Sequence, residues 1–146
     1  MKWNWDRDAV EERVIEAADV LRRLPEERVR GFFNTWPDMM VEFSDMVGRA
    51  DEAMKLPPPH PGAISRMEET ITWSRFLDPE DAKLLWARAE QAPWKAICWR
   101  FGISRATANR RYEYALCVIA WQLNGRLPPQ NRSRSFVIDK IKSLSR

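Results

Sequence analysis

The sequence predicts an all-α protein. Over several stretches of the 146-residue chain, apolar residues recur at intervals of three and four, which is the spacing of a buried helix face. No stretch alternates apolar and polar residues for long enough to indicate a strand. Five glycines against ten prolines also disfavour a sandwich or barrel, because such folds need many tight turns.

Three helices are predicted N-terminal to a proline-rich stretch. The carboxylate of Asp6 or Asp8 can cap the first, because a short acidic side chain accepts the free N–H groups of a first turn. The second and third cover about residues 25–34 and 38–54. Residues 57–62 contain four prolines, which lack the amide donor of a helix, so we predict a stiff and extended linker there.

Further helices are predicted C-terminal to this linker. Asp78 followed by Pro79 and two acids is typical of a helix start, and Gly125 supplies a left-handed stop. The predicted helices cover about residues 63–77, 79–89, 93–101, 104–125 and 136–144.

Charge is divided unevenly along the chain. Residues 1–85 carry a net charge of −6, whereas residues 86–146 carry +9. Such a division points to a polyanion as the partner of the C-terminal half. The alternative is a merely basic, solvated tail.

The residues from Ala96 to Arg111 follow the pattern of a helix-turn-helix. Cys98 and Ala108 are small at the positions where two helices would cross. Gly102 takes the positive φ that a tight turn requires at little steric cost. Ser104 can cap the second helix, which we therefore expect to begin there.

The second helix of such a motif presents its first residues to base edges in the major groove of DNA. Because Arg pairs with guanine and Asn with adenine, we predict that Arg105, Asn109 and Arg110 read bases. Phosphate contacts, which set register without reading sequence, are predicted for Lys95, Arg100, Ser104, Thr107, Arg111, Arg126, Arg132 and Arg134. An Arg-rich solvated face is the alternative, but Glu113 is the only acid between Arg100 and Arg126.

Residues 78–116 resemble region four of bacterial sigma factors, with its pattern E-I-A-x-x-L-G-I-S-x-x-T-V. Residues 96–108 here are A-I-C-W-R-F-G-I-S-R-A-T-A, in which Ala96 replaces the usual acid and Ala108 the usual branched residue. The resemblance extends over about 63–125 and implies a promoter-binding module, as in small phage late-gene transcription activators. The chain also resembles an uncharacterised family of short alphaproteobacterial and prophage proteins with the core PWKAICWRFGISRATA.

We therefore expect four parts: an acidic helical segment (1–56), the linker (57–62), a sigma-like helix-turn-helix domain (63–125) and a basic tail (126–146). The resemblance implies a sequence-specific transcription regulator of phage or prophage origin that binds double-stranded DNA in the bacterial cytoplasm. Residues 1–56 are the expected surface for RNA polymerase or another protein, and a homodimer is one expected state. Two alternatives stay open: the small, DNA-recognising subunit of a phage packaging terminase, and an adaptor that docks on RNA polymerase without touching DNA.

No catalytic site, metal or cofactor is expected. His60, the only histidine, lies in the linker, and the two cysteines, Cys98 and Cys117, are too few to complete a zinc site with it. Neither a glycine-rich phosphate loop nor an apolar run of membrane-spanning length occurs. The C-terminal tryptophans are expected to be core wedges, with base stacking on a single strand as the rival role: Trp73, Trp86, Trp94, Trp99 and Trp121.

Overall fold

The computed structural model describes residues 4–24 and 57–144. Within these two ranges the chain forms six α-helices and one short 3-10 helix and no strand, which confirms the all-α class. The helices are α1 (Arg7–Arg23), α2 (Pro61–Thr72), α3 (Pro79–Ala89), α4 (Trp94–Phe101), α5 (Arg105–Leu123) and α6 (Arg134–Leu144), with the 3-10 turn at Trp73–Phe76. The helices predicted over 25–34 and 38–54 lie outside the described residues.

Helix α1 begins where the sequence predicts. The Asp6 carboxylate caps it by accepting a hydrogen bond from the N–H of Ala9 at 2.7 Å. Val10, Val14 and Ala17 recur on its buried face. This face packs against α2, α3 and α5, so α1 forms part of the same core as the C-terminal helices.

Helix α2 differs from the predicted helix at both ends. It begins at Pro61 instead of near residue 63, because the first helical position needs no N–H donor and accepts proline. The His60 ring caps it, with Nδ1 accepting a hydrogen bond from the N–H of Gly62 at 3.0 Å. Its last predicted turn, Trp73–Phe76, is a 3-10 helix.

The start of the described chain is attached to the end of α5. The Asn124 side-chain oxygen accepts hydrogen bonds from the N–H groups of Asn4 (3.0 Å) and Trp5 (3.2 Å), and its amide donates to the Trp5 carbonyl at 2.7 Å. The Trp5 ring packs edge-on against Trp73, with centroids 5.2 Å apart. The four-part division of the chain stays a prediction, but α1 and α5 are held together at this point.

Helix α6 confirms the short helix predicted near the C-terminus. Ser133 caps it through a hydrogen bond that its hydroxyl accepts from the N–H of Phe136 at 3.2 Å. Val137, Ile138 and Ile141 are buried, and the helix packs against α5. The basic tail therefore contributes apolar residues to the core and covers part of α5.

One tryptophan contradicts its predicted place in the core. Trp73 and Trp86 are buried, whereas Trp99 is 77% exposed. Helix α4 has only eight residues, and its buried face is set by Ile97. Trp99 follows Ile97 by two positions, or about 200° around the helix, and therefore faces away from the core.

Candidate nucleic-acid interface

A three-residue turn joins α4 to α5. Gly102 adopts the left-handed conformation, with φ 62° and ψ 36°, and the N–H of Ile103 donates to the Cys98 carbonyl at 3.2 Å. The Ser104 hydroxyl then accepts a hydrogen bond from the N–H of Thr107 at 3.2 Å, which caps α5. Glycine at the positive φ and serine at the cap hold the turn as the sequence predicts.

The two helices meet at buried residues. Ile97 on α4 and Ala108 on α5 are fully buried, whereas Cys98 is half-buried. Trp94 packs edge-on against Tyr112 with ring centroids 6.0 Å apart. These contacts fix the start of α5 relative to α4.

The exposed residues of α5 are confined to its first two turns. They are Arg105, Ala106, Asn109 and Arg110, and every later residue of the helix is half-buried or buried. The reason is that α1, α3 and α6 all pack on α5. All three predicted base-reading residues thus share the one open part of this helix.

The predicted phosphate contacts nearest this surface differ in exposure. Lys95 is exposed on α4, and Ser104 is exposed at the cap. Thr107 is half-buried, and its hydroxyl oxygen accepts a hydrogen bond from the Ser104 hydroxyl at 3.0 Å. Arg100 is half-buried in the last turn of α4. Among these four residues, Lys95 is therefore the cation that is exposed to solvent.

The predicted contacts in the tail lie at different places along the molecule. Arg126 is exposed beyond the end of α5, about 30 Å along the helix axis from Arg105. Arg134 lies over the ring of Tyr114 at 5.2 Å, and Arg132 over that of Phe136 at 5.2 Å. Arg126 is therefore far from the first turn of α5, whereas Arg134 lies beside Tyr114, one helical turn after Arg110.

Arg111 differs from the other predicted phosphate contacts because it is partly enclosed. Its Nε is buried and lacks a hydrogen-bond partner within the described ranges. The Arg111 charge acts on Asp81, which is buried in the first turn of α3. Burial raises the pKa of Asp81, while the charges of Arg134 and Arg111 oppose that rise. Arg111 is therefore less accessible to an external phosphate than Arg110.

An ion-pair network that the sequence did not reveal joins α1 to α5. Arg7 donates from Nε and Nη2 to the two carboxylate oxygens of Glu113, at 2.9 and 2.6 Å. It also pairs with Asp8 at 2.7 Å and with Glu11. Burial by itself lowers the pKa of Arg7. Its hydrogen bonds to Glu113 and Asp8 raise this pKa by more than burial lowers it, so the net shift is upward and the guanidinium stays charged. The Tyr112 hydroxyl donates to Glu11 at 2.7 Å.

A shallow cleft of about 420 Å³ opens beside Asn109, between α5, the start of α1 and the end of α6. Its lining residues are Asp6, Arg7, Asp8, Asn109, Glu113, Ile141 and Lys142. Carboxylates therefore flank Asn109 on the α1 side. Arg105 and Arg110, on the open part of the helix, are exposed cations. Charge thus changes sign across the start of α5, and an anion approaches it more favourably from the α4 side.

Residues 4–24 and 57–144 contain no group of three or more His, Cys, Asp or Glu side chains placed to hold a metal ion. In the same part of the chain, no helix has both the length and the apolar character needed to cross a membrane.

Comparisons with known proteins place the chain in a family. No curated protein and no solved structure matches it. A family model described as "Domain of unknown function (DUF6362)" matches residues 22–119, a range that includes α2, α3, α4 and most of α5. Because this match covers more than half of the chain, the protein belongs to the DUF6362 family.

Proposed function

We propose that the protein binds double-stranded DNA through a helix-turn-helix formed by α4 and α5, and that it acts as a sequence-specific transcription regulator. The first two turns of α5 enter the major groove. The observation that carries the proposal is the exposure of Arg105, Ala106, Asn109 and Arg110 on an otherwise covered helix. A helix that is half-buried or buried everywhere except at its capped start presents one small and defined surface.

The chemistry of these four side chains suits base edges. The forked guanidinium groups of Arg105 and Arg110 match the two acceptors of guanine, and the amide of Asn109 matches adenine. The exposed methyl group of Ala106 suits contact with the methyl of thymine. A helix face that contacts only solvent does not require this combination of arginine, asparagine and alanine.

The surrounding charge supports contact with phosphates. Residues 91–112 include five Lys or Arg residues and no acid. Lys95 flanks α5 from α4, and its charge is exposed. With five or six phosphates neutralised, the logarithm of affinity falls with the logarithm of salt concentration with a slope of roughly −5.

The regulatory part of the proposal rests on the resemblance of residues 78–116 to region four of sigma factors. That module binds promoter DNA, and small phage activators contain a similar one. A protein with this function and a phage or prophage origin acts in the cytoplasm of the bacterial host.

A binding selection tests the proposal. The full-length protein is mixed with random-sequence duplexes at near-physiological salt, and the retained pool is sequenced. A recovered motif supports sequence-specific recognition, and its symmetry shows whether a dimer binds. Retention without a motif contradicts sequence-specific reading and favours the packaging subunit, which light scattering then identifies by a ring of eight or more copies. Absence of retention refutes DNA binding.

One observation favours the adaptor as a second candidate function. Trp99 is 77% exposed on α4, and Lys95 lies one turn before it on the same side of the helix. Large aromatic side chains anchor protein–protein contacts. If the protein docks on RNA polymerase without touching DNA, Trp99→Ala abolishes capture of purified polymerase, and neither the wild type nor the variant retains duplexes.

A further inference from the structure

The base-reading end of α5 has a carboxylate at its edge. Glu113 follows Asn109 by four positions, so both side chains lie on one side of the helix. It is the only acid of α5, and it lines the cleft beside Asn109. An ionised carboxylate at this position repels the phosphates of any duplex whose bases Asn109 contacts.

Arg7 of α1 binds this carboxylate in a forked geometry. Its Nε and Nη2 donate to both oxygens of Glu113, and only about a fifth of each side chain is exposed. Such a two-point contact brings the guanidinium charge against both carboxylate oxygens and compensates the charge of Glu113. Lys142 is the other cation lining the cleft.

We propose that Arg7 is a positioning residue for DNA recognition: by compensating the charge of Glu113, it keeps the Asn109 side of α5 accessible to the DNA backbone. Helix α1 thereby influences the affinity of α5 for DNA, although α1 itself contacts no base. This inference rests on the proposed DNA-binding function.

Removal of the Arg7 charge tests the proposal. Arg7→Gln removes the cation that Glu113 shares with Asp8 and Glu11. Affinity for the selected duplex therefore falls about three- to tenfold at 0.1 M salt. The difference shrinks as salt increases, because screening weakens the repulsion from Glu113. Fluorescence anisotropy with a labelled duplex measures both effects. Arg7→Lys retains the charge, and its affinity stays within about twofold of the wild type.

The chain offers a matched control in a second forked ion pair. Arg66 on α2 donates from Nε and Nη2 to the Glu16 carboxylate on α1, at 3.0 and 2.6 Å. Arg66→Gln removes the same charge and the same kind of bond between two helices, but it leaves no unpaired acid on α5. Its affinity changes by less than about twofold, because Glu16 follows Arg7 by nine positions on α1, or about 13 Å along the helix axis, which exceeds the screening length of about 10 Å at 0.1 M salt.

A double-mutant cycle separates the role of Glu113 from a purely structural role of Arg7. Glu113→Gln in the Arg7→Gln background recovers at least half of the lost affinity, and the remaining loss comes from Asp8 and Glu11, which also lose their ion-pair partner. In the Arg66→Gln background, Glu113→Gln changes affinity far less. Melting curves establish that each variant is folded at the assay temperature.

If the Arg7→Gln and Arg7→Gln/Glu113→Gln proteins bind equally weakly, or if Arg7→Gln and Arg66→Gln lose the same affinity, the inference is wrong. If Arg7→Gln does not fold, Arg7→Lys decides: binding weakened beyond twofold in this folded variant overturns the inference. A wild type that binds no duplex refutes the proposed function itself.

Discussion

Two turns of the chain each contain a residue with a positive φ, and the residue type differs between them. Gln91, between α3 and α4, has φ 66°, and Gly102, between α4 and α5, has φ 62°. Steric strain in the left-handed conformation costs a residue with a Cβ roughly 1–2 kcal/mol of stability, whereas glycine has no such strain. We therefore predict that Gln91→Gly stabilises the protein and that Gly102→Ala destabilises it.

The magnitude follows from two opposing effects. A Cβ built at Gly102 meets no atom within 4 Å, so only the backbone strain matters there. Replacing the glycine also lowers the conformational entropy of the unfolded chain, which offsets the strain by about 0.4–1 kcal/mol. The free energy of unfolding should decrease by about 0.5–1 kcal/mol for Gly102→Ala. It should increase by a similar amount for Gln91→Gly, because the Gln91 side chain is exposed and its removal costs little packing.

Urea denaturation at 25 °C measures both changes, with the slope m expected to stay constant. Gly125→Ala is the control, because Gly125 also has a positive φ and equally open space around its Cβ position. Gly125→Ala should decrease the free energy of unfolding by the same amount as Gly102→Ala. Stabilisation by Gly102→Ala, or destabilisation by Gln91→Gly, would refute the backbone conformations of these turns and the joining of α4 to α5 that depends on them.

Three further predictions concern single side chains. Trp99→Ala should change the free energy of unfolding by less than about 0.5 kcal/mol, whereas Trp86→Ala, in the core, should cost about 3–5 kcal/mol in urea denaturation. Because burial holds the pKa of Asp81 above its ordinary value of 3.8, its ionised form is penalised in the folded state; Asp81→Asn should raise the melting temperature at pH 7, and this gain should vanish below pH 3.8. Burial raises the pKa of Cys117 to about 12, so mass spectrometry should find it unmodified by iodoacetamide at pH 8 until the protein unfolds.

Local chemistry explains how much of the fold the sequence predicts. The Asp6 and Ser104 caps, the proline at the start of α3 and the left-handed Gly102 each act within a few residues, and each lies where it was expected. The candidate base-reading surface was predictable for the same reason, because α5 begins at a recognisable cap.

Contacts between distant parts of the chain were not predictable in this way. Arg7 and Glu113 are separated by 106 positions, and neither side chain differs in type from an ordinary surface residue. Asn124, which binds the backbone of Trp5, looks in the sequence like part of a helix stop. The exposure of Trp99 was missed because apolar spacing assigns a face only weakly in a helix of eight residues.

The central claim, that the first two turns of α5 read bases, is tested most directly by parallel selections on variant proteins. Wild type, Arg105→Ala, Arg110→Ala and Lys95→Ala are each incubated with random duplexes, and the enriched motifs are compared. Each arginine variant should lose preference at one base pair at a cost of about 1–3 kcal/mol, whereas Lys95→Ala should bind all sequences more weakly and keep the wild-type motif. If the two arginine variants retain the full motif and lose affinity uniformly, as Lys95→Ala does, these side chains do not read bases and the claim is wrong.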